Sequence, residues 1–189
     1  MSIPHTDDNP QSPSINGIDF FVAGWLIVWT IFLIVKTSGL YLDDAFITYT
    51  FAERIWEGMG WTWQTGEKVF GSTTPLYTLI CSLIYGLVGH DLLPDVSNAL
   101  SCVGLTVQGG IFYLLIRRFN PLAGLIALVL FLSTSQTSWF VGMEANCLGM
   151  VLLLAVYFWL TDRLGLAGLF LGMGFLLRYD SILLVLVLL

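Results

Sequence analysis

Charged residues are scarce in this chain of 189 residues. They make up 11% of it and hydrophobic residues 57%, whereas a soluble globular domain usually carries about 25% charged residues. Basic residues are fewer than acidic ones, seven against 13. They form no tail or stripe of the kind that binds nucleic acid. The composition excludes an ordinary soluble domain and a nucleic-acid-binding protein, and it predicts an integral membrane protein.

Cysteine, repeats and a basic leader are also scarce or missing. Cys81, Cys102 and Cys147 lie in apolar segments, and their spacing is not that of metal ligands. We therefore expect each of the three side chains to be buried and to pack as a small hydrophobic residue. The sequence shows no internal repeat, which disfavours a solenoid or an inverted-repeat transporter. Residues 1–17 are polar and lack the basic region of a secretory signal, and they predict a short disordered tail.

What the chain does have is a series of apolar segments. A bilayer core of roughly 30 Å needs about 20 helical residues, and residues 18–40 meet that length. Further apolar segments cover residues 76–89, 96–116, 122–141, 145–160 and 164–189. The predicted fold is all-α: a polytopic transmembrane helical bundle over residues 18–189, with an external loop at residues 43–74. The last segment ends without a polar flank, so we expect a chain truncated at its C-terminus.

The external loop is predicted to begin with an amphipathic surface helix that Gly58 and Gly60 end. Its apolar residues recur at helical spacing: Phe46, Tyr49, Ala52 and Trp56. Asp43 and Asp44 begin this helix, where carboxylates are favoured by unpaired N–H groups and by the helix dipole. One aspartate suffices for a cap, so the second is left for chemistry.

The arginines predict the topology, because Lys and Arg collect on the cytoplasmic side. Arg117 and Arg118 lie in one turn and Arg163 in another, with two apolar segments between them, so both turns should share a side. If the N-terminus is cytoplasmic, the two arginine turns are cytoplasmic only if residues 76–89 do not span the membrane. This segment would be about 21 Å long as a helix. The outer face then carries three acids: Asp43, Asp44 and Glu144. A model in which residues 76–89 span ranks second.

Two charged residues stand near or within apolar segments. Glu144 is either an interfacial acid facing water or part of a site. Arg178 follows an apolar helix that starts near Arg163, so it should lie about 21 Å across the membrane from that turn. An ionisable residue at such a position indicates a functional site. Its partner is either Asp180 or a bound anion such as a lipid phosphate.

The run "DDAFITYTFAERIWEGMGWTWQTGEKVFGSTTPLYTLI" resembles the first external loop of the GT-C glycosyltransferases, multi-span enzymes that use polyprenyl-phosphate sugars. It is most similar to their bacterial arabinosyl- and mannosyltransferase-like branch. The shared order is an acidic pair, an aromatic helix, two glycine turns and a G-x-[ST]-[ST]-P-like end. "GMEAN" and "LLRYDSILL" extend the resemblance to the end of the chain. The chain departs from the pattern at three positions: Thr50, Phe70 and Tyr179.

The resemblance implies a role for each candidate residue. Asp43 would be the base for the acceptor hydroxyl, and Asp44 would orient the acceptor or bind a divalent cation, Mg²⁺ or Mn²⁺. Arg178 would hold the carrier phosphate, with Lys68 a second candidate, and Glu144 would contact sugar or acceptor.

The resemblance also implies partners and a location. The partners are a polyprenyl-phosphate sugar, a glycan, lipid or protein acceptor, and membrane lipids. The location is the bacterial inner membrane, with the site on the periplasmic or extracellular face. The alternative function is a non-catalytic membrane subunit or degenerate GT-C fragment that binds lipid or a partner protein. A transporter ranks third.

Overall fold

The computed structural model describes residues 17–64, 71–134, 141–183 and 186. Within these ranges the chain is all-helical, and no strand occurs in them. The polar tail, apart from Gly17, lies outside the described residues. The described residues contain seven α-helices, which are α1 (Gly17–Thr37), α2 (Asp43–Trp56), α3 (Pro75–Val88), α4 (Leu93–Ile116), α5 (Pro121–Ser133), α6 (Ala145–Trp159) and α7 (Leu164–Leu177), and a 3₁₀ turn at Tyr179–Ser181.

In the part of the chain that the structure describes, two helices are long and apolar enough to cross a membrane by length and composition: α1, with 21 residues, and α4, with 24. They differ in surroundings, since α4 is half buried within the protein while α1 turns large apolar side chains outward. Phe20 and Phe21 on α1 are 73% and 70% exposed. Apolar surface of this kind is stable in lipid rather than in water, so the pair of helices favours a membrane protein.

Helices α1 and α4 run antiparallel. At one end, Asp19 near the start of α1 pairs with Arg117, which follows α4, and accepts a hydrogen bond from the Tyr113 hydroxyl at 2.8 Å. At the other end, Asn98 in α4 donates to the carbonyl of Leu40 at 2.8 Å. We name these the arginine end and the acidic end of the protein.

Small and polar side chains bring α4 and α6 together. The Gln108 amide donates to the backbone carbonyl of Asn146 at 2.7 Å, and the Asn146 amide donates to the Ser101 hydroxyl at 3.0 Å. A Cβ on Gly104 would lie 3.0 Å from the same Asn146 carbonyl oxygen. Glycine therefore permits the close approach on which these buried hydrogen bonds depend.

Helix α2 is amphipathic as predicted, but its buried stripe is shifted. Ala45, Tyr49 and Ala52 are buried against the core, whereas Phe46 and Trp56 are 42% and 51% exposed. The spacing was helical in either case, and the neighbouring helices decide which face is covered. Two glycines in left-handed conformation follow the helix end at Trp56, as predicted: Gly58 and Gly60.

Helix α3 lies at the acidic end rather than along the length of α4. The Tyr77 hydroxyl in its first turn lies 2.7 Å from the Ser97 hydroxyl near the start of α4. Only four residues connect the end of α3 to the start of α4. Both ends of α3 therefore lie near one end of α4, and the non-spanning interpretation of residues 76–89 stays a prediction.

The two arginine turns share an end, as their spacing predicted. The Arg118 guanidinium lies 5.1 Å from the ring centroid of Tyr157, which belongs to the last turn of α6. The turn carrying Arg163 follows directly and leads into α7, which returns to the acidic end. The predicted break also occurs, since α7 ends at Leu177 and Arg178 has extended backbone before the 3₁₀ turn.

Candidate functional site

Glu144 and Arg178 form an ion pair at the acidic end. Glu144 precedes α6 and its residue is only 6% exposed, while Arg178 follows α7 and its side chain is 43% exposed. Arg178 Nη1 donates to Glu144 Oε1 at 3.4 Å, and its Nε donates to Asp180 Oδ1 at 3.3 Å. These distances exceed the 2.7–2.9 Å or so of a tight charge-assisted bond. The ion pair between Glu144 and Arg178 is therefore longer, and weaker, than a tight charge-assisted hydrogen bond.

The guanidinium keeps capacity for another acceptor. It has five N–H groups in a planar fork, and its contacts with described residues use Nε and Nη1. The Arg178 side chain is also the more exposed member of the pair. A phosphate oxygen could therefore be bound without breaking either contact.

A hydroxyl cluster lies just before Glu144 in the chain. The carbonyl of Gly142 accepts from Tyr49 of α2 at 3.1 Å, from Tyr77 of α3 at 3.0 Å and from Ser97 of α4 at 3.2 Å. All three hydroxyl-bearing residues are buried. We call Tyr49, Tyr77, Ser97 and the Gly142 carbonyl the carbonyl hub. It ties three helices to the segment that leads into Glu144.

Glycine is required at the centre of the carbonyl hub. Gly142 has a φ of 80°, a conformation that side chains disfavour. A Cβ there would also lie 2.5 Å from Asn98 Oδ1 and 3.0 Å from the Tyr49 hydroxyl oxygen. Both the backbone conformation and the packing exclude a larger residue.

Asp43 and Asp44 occupy the first turn of α2 and are exposed. The N-cap position belongs to Leu42, and no side-chain hydrogen bond caps the helix. The expectation that an aspartate caps the helix is therefore wrong. The two carboxylates still gain from the positive end of the helix dipole, and neither has a hydrogen bond or ion pair with another residue of the described ranges.

The segment before the aspartates is held to α4. The Tyr41 hydroxyl donates to Asp95 Oδ1 at 2.9 Å. This hydrogen bond, with a smaller effect of desolvation, raises the pKa of Tyr41. Because Tyr41 lies two residues before Asp43, the contact orients the entry into α2.

Tyr49 is more deeply buried than Tyr41. Desolvation raises the pKa of Tyr49 to about 12, against an opposing effect of the Ser97 hydroxyl. The group is therefore a neutral hydrogen-bond donor throughout the physiological range, which suits a structural contact with a carbonyl.

The structure brings some of the predicted residues together and leaves others apart. Glu144 and Arg178 are in contact, and Tyr49 links their end to α2. Asp43 lies six residues before Tyr49, which is about 9 Å along a helix. Within the described ranges no hydrogen bond or ion pair joins Asp43 or Asp44 to Glu144 or Arg178. Lys68 lies outside the described residues.

The divalent cation expected at Asp44 stays a prediction. Among the described residues no group of three or more His, Cys, Asp or Glu side chains could hold a metal. Mg²⁺ usually keeps several waters and binds through one or two carboxylates together with substrate phosphate, so the adjacent carboxylates of Asp43 and Asp44 are compatible with it. We derive no step through a metal.

Sequence reasoning missed the carbonyl hub. Tyr77, which is fully buried, was predicted only as one residue of the apolar segment at 76–89. A serine in an apolar helix and a glycine in a loop have many roles, so Ser97 and Gly142 do not by themselves predict a hydrogen-bonded cluster. The one available signal was the glycine of "GMEAN", two residues before the only acid between Arg118 and Asp162.

The chain was compared with protein-family models, with curated proteins and with solved structures, and no match was found in any of the three comparisons. The resemblance to the GT-C glycosyltransferases therefore rests on the sequence motifs, and its consequences are proposals.

Proposed function

We propose that the protein is a polytopic membrane glycosyltransferase of GT-C type, which transfers a sugar from a polyprenyl phosphate to an acceptor hydroxyl. One observation carries the proposal. The buried Glu144 pairs with Arg178 at the same end of the protein as the exposed carboxylates of Asp43 and Asp44. Anion-binding and proton-accepting groups are thus available at one end, as this chemistry requires.

The proposed step divides the work between two sides of the site. Asp43 accepts the proton of the acceptor hydroxyl, whose oxygen attacks the anomeric carbon of the donor sugar. The bond between that carbon and the phosphate oxygen breaks, and the electron pair leaves with the phosphate. Arg178 stabilises the departing phosphate through the N–H groups that its carboxylate partners do not use. Asp44 orients the acceptor, and Glu144 holds Arg178 and contacts the sugar or acceptor.

The membrane orientation is proposed from the basic residues of the short turns. In the described ranges, Arg117, Arg118 and Arg163 lie in the two short turns of the arginine end, whereas the basic residues at the acidic end, Lys36, Arg54 and Arg178, lie in or directly after helices and are accompanied by Asp43, Asp44 and Glu144. Since basic residues collect on the cytoplasmic side, we assign the acidic end to the outer face. In a bacterial inner membrane this is the periplasmic face, where a lipid-linked donor arrives sideways and a polar acceptor arrives from the aqueous side.

A second function is favoured by one observation. Arg178 already contacts two carboxylates, Glu144 and Asp180, so its charge has partners without any ligand. A non-catalytic membrane subunit or degenerate GT-C fragment that binds lipid or a partner protein would need no more than this. Binding of a phosphate group by Arg178 distinguishes the two functions.

The test is donor binding by the full chain in nanodiscs. Polyprenyl phosphate carrying a labelled sugar should bind to the wild type, and Arg178→Gln should weaken binding by about tenfold or more, the effect of losing a charge-assisted contact. Arg163→Gln, at the arginine end, is the matched control and should bind as the wild type does. Equal binding by the wild type and Arg178→Gln would contradict the proposal.

A further inference from the structure

The carbonyl hub poses a counting problem. The Gly142 carbonyl oxygen has two lone pairs, yet three hydroxyl oxygens lie within 3.2 Å of it. The shortest distance in the cluster joins two hydroxyls, those of Tyr77 and Ser97, at 2.7 Å. Not every hydroxyl can donate to the carbonyl at full strength.

Two proton arrangements give every hydroxyl donor an acceptor. In one, Tyr49 and Tyr77 donate to the two lone pairs of the carbonyl and Ser97 donates to the Tyr77 oxygen. In the other, Tyr49 and Ser97 donate to the carbonyl and Tyr77 donates to the Ser97 oxygen. Buried donors are costly when unpaired, and in both arrangements Tyr49 donates to the carbonyl while Tyr77 and Ser97 can replace each other as the second donor.

The three hydroxyls of the carbonyl hub join Gly142 to different helices. Tyr77 and Ser97 belong to α3 and α4, which are joined by a short connection, so they hold Gly142 to one part of the fold. Tyr49 belongs to α2, the helix whose first turn carries Asp43 and Asp44. Tyr49 therefore joins the helix of the exposed carboxylates to the segment that carries Glu144.

We infer that the Tyr49 hydroxyl is a positioning group that couples α2 to the Gly142–Glu144 segment, and so fixes Asp43 relative to the Glu144–Arg178 pair. The inference rests on the proposed function for its consequence in transfer, and on the geometry alone for the coupling. Tyr49 touches no reacting atom in this account. It acts through the Gly142 carbonyl, two residues before Glu144.

The experiment compares Tyr49→Phe, Tyr77→Phe, their double variant and Tyr85→Phe as the control, each in the full chain in nanodiscs. Tyr85 also directs its hydroxyl to α2, but to the Glu53 and Glu57 carboxylates near the other end of that helix. Backbone hydrogen exchange reports the coupling, and steady-state transfer of labelled sugar reports its consequence.

Tyr49→Phe should speed exchange in residues 43–52 by roughly two- to tenfold, the factor that one hydrogen bond commonly contributes. Tyr77→Phe should change little, because Ser97 can replace it as donor. The double variant should speed exchange in residues 141–146 by more than the product of the single effects, because one donor is left. Tyr85→Phe should affect only the end of α2 near Glu53 and Glu57.

In the transfer assay Tyr49→Phe should lower kcat by about tenfold with an unchanged KM for the donor, since misplacement of a base by about 1 Å costs up to a hundredfold. Tyr85→Phe should leave kcat unchanged. Unaltered exchange in residues 43–52 of Tyr49→Phe would overturn the inference, as would faster exchange with unaltered kcat. A wild type without transfer would refute the proposed function, while the exchange data would still decide the coupling.

Discussion

Arg178 Nη1 donates to Glu144 Oε1 over 3.4 Å, which joins the residue that follows α7 to the residue that precedes α6. The acceptor is buried and the donor is partly exposed. An ionised group buried without a partner is costly. Glu144 therefore depends on Arg178 more than Arg178 depends on Glu144, and this asymmetry leads to the first prediction.

Arg178→Gln should lower the free energy of unfolding by about 1–3 kcal/mol, because it leaves the buried Glu144 carboxylate without its cation. Adding Glu144→Gln should recover part of that loss, since the buried charge is then removed. Thermal unfolding of the purified protein in detergent measures both effects. Arg163→Gln, an exposed arginine at the opposite end, serves as the control, and equal stability of Arg178→Gln and the wild type would contradict the prediction.

Gly142→Ala should destabilise the protein by about 2 kcal/mol or more, because its left-handed backbone and the Asn98 and Tyr49 side chains both oppose a Cβ. Gly168→Ala is the matched control, since a Cβ there meets nothing within 4 Å in helix α7. That variant should be neutral or up to about 1 kcal/mol more stable. Chemical unfolding compares the two, and similar effects would count against the carbonyl hub.

The two ends of the protein should face opposite sides of the membrane. Cysteines introduced as Asp91→Cys at the acidic end and Phe119→Cys at the arginine end would both be exposed, while the native cysteines are buried. A membrane-impermeant thiol reagent added to intact cells should label Asp91→Cys at once and Phe119→Cys only after permeabilisation. Labelling of both from the same side would refute the orientation.

Stability should fall at alkaline pH because of Tyr49. Unfolded tyrosine releases its proton near pH 10, whereas burial in the fold raises the pKa of Tyr49 to about 12. The protonated Tyr49 therefore contributes on the order of 2 kcal/mol to the free energy of unfolding. This contribution is complete below pH 10 and is lost as the pH rises to 12. Unfolding titrations should show a shallower loss over this window in Tyr49→Phe. An identical slope in both proteins would contradict the assignment.

The sequence predicted the elements better than their contacts. The break at Arg178, the end of α2 before Gly58 and the shared side of the arginine turns followed from spacing and charge, which are local properties. The contact between Glu144 and Arg178 was not predicted, because it depends on how α6 and α7 pack. The carbonyl hub was harder to predict, since Tyr49, Tyr77, Ser97 and Gly142 are distant in sequence and only Gly142, in "GMEAN", belongs to a motif.

The most direct test of the central proposal is sugar transfer by Asp43→Asn in membranes. The substitution keeps the size and exposure of the side chain but removes its ability to accept a proton. Asp91→Asn, another exposed aspartate at the acidic end, is the control for the change of charge. The proposal predicts that Asp43→Asn abolishes transfer of labelled sugar from polyprenyl phosphate at unchanged protein abundance while Asp91→Asn retains it, and normal transfer by Asp43→Asn would contradict it.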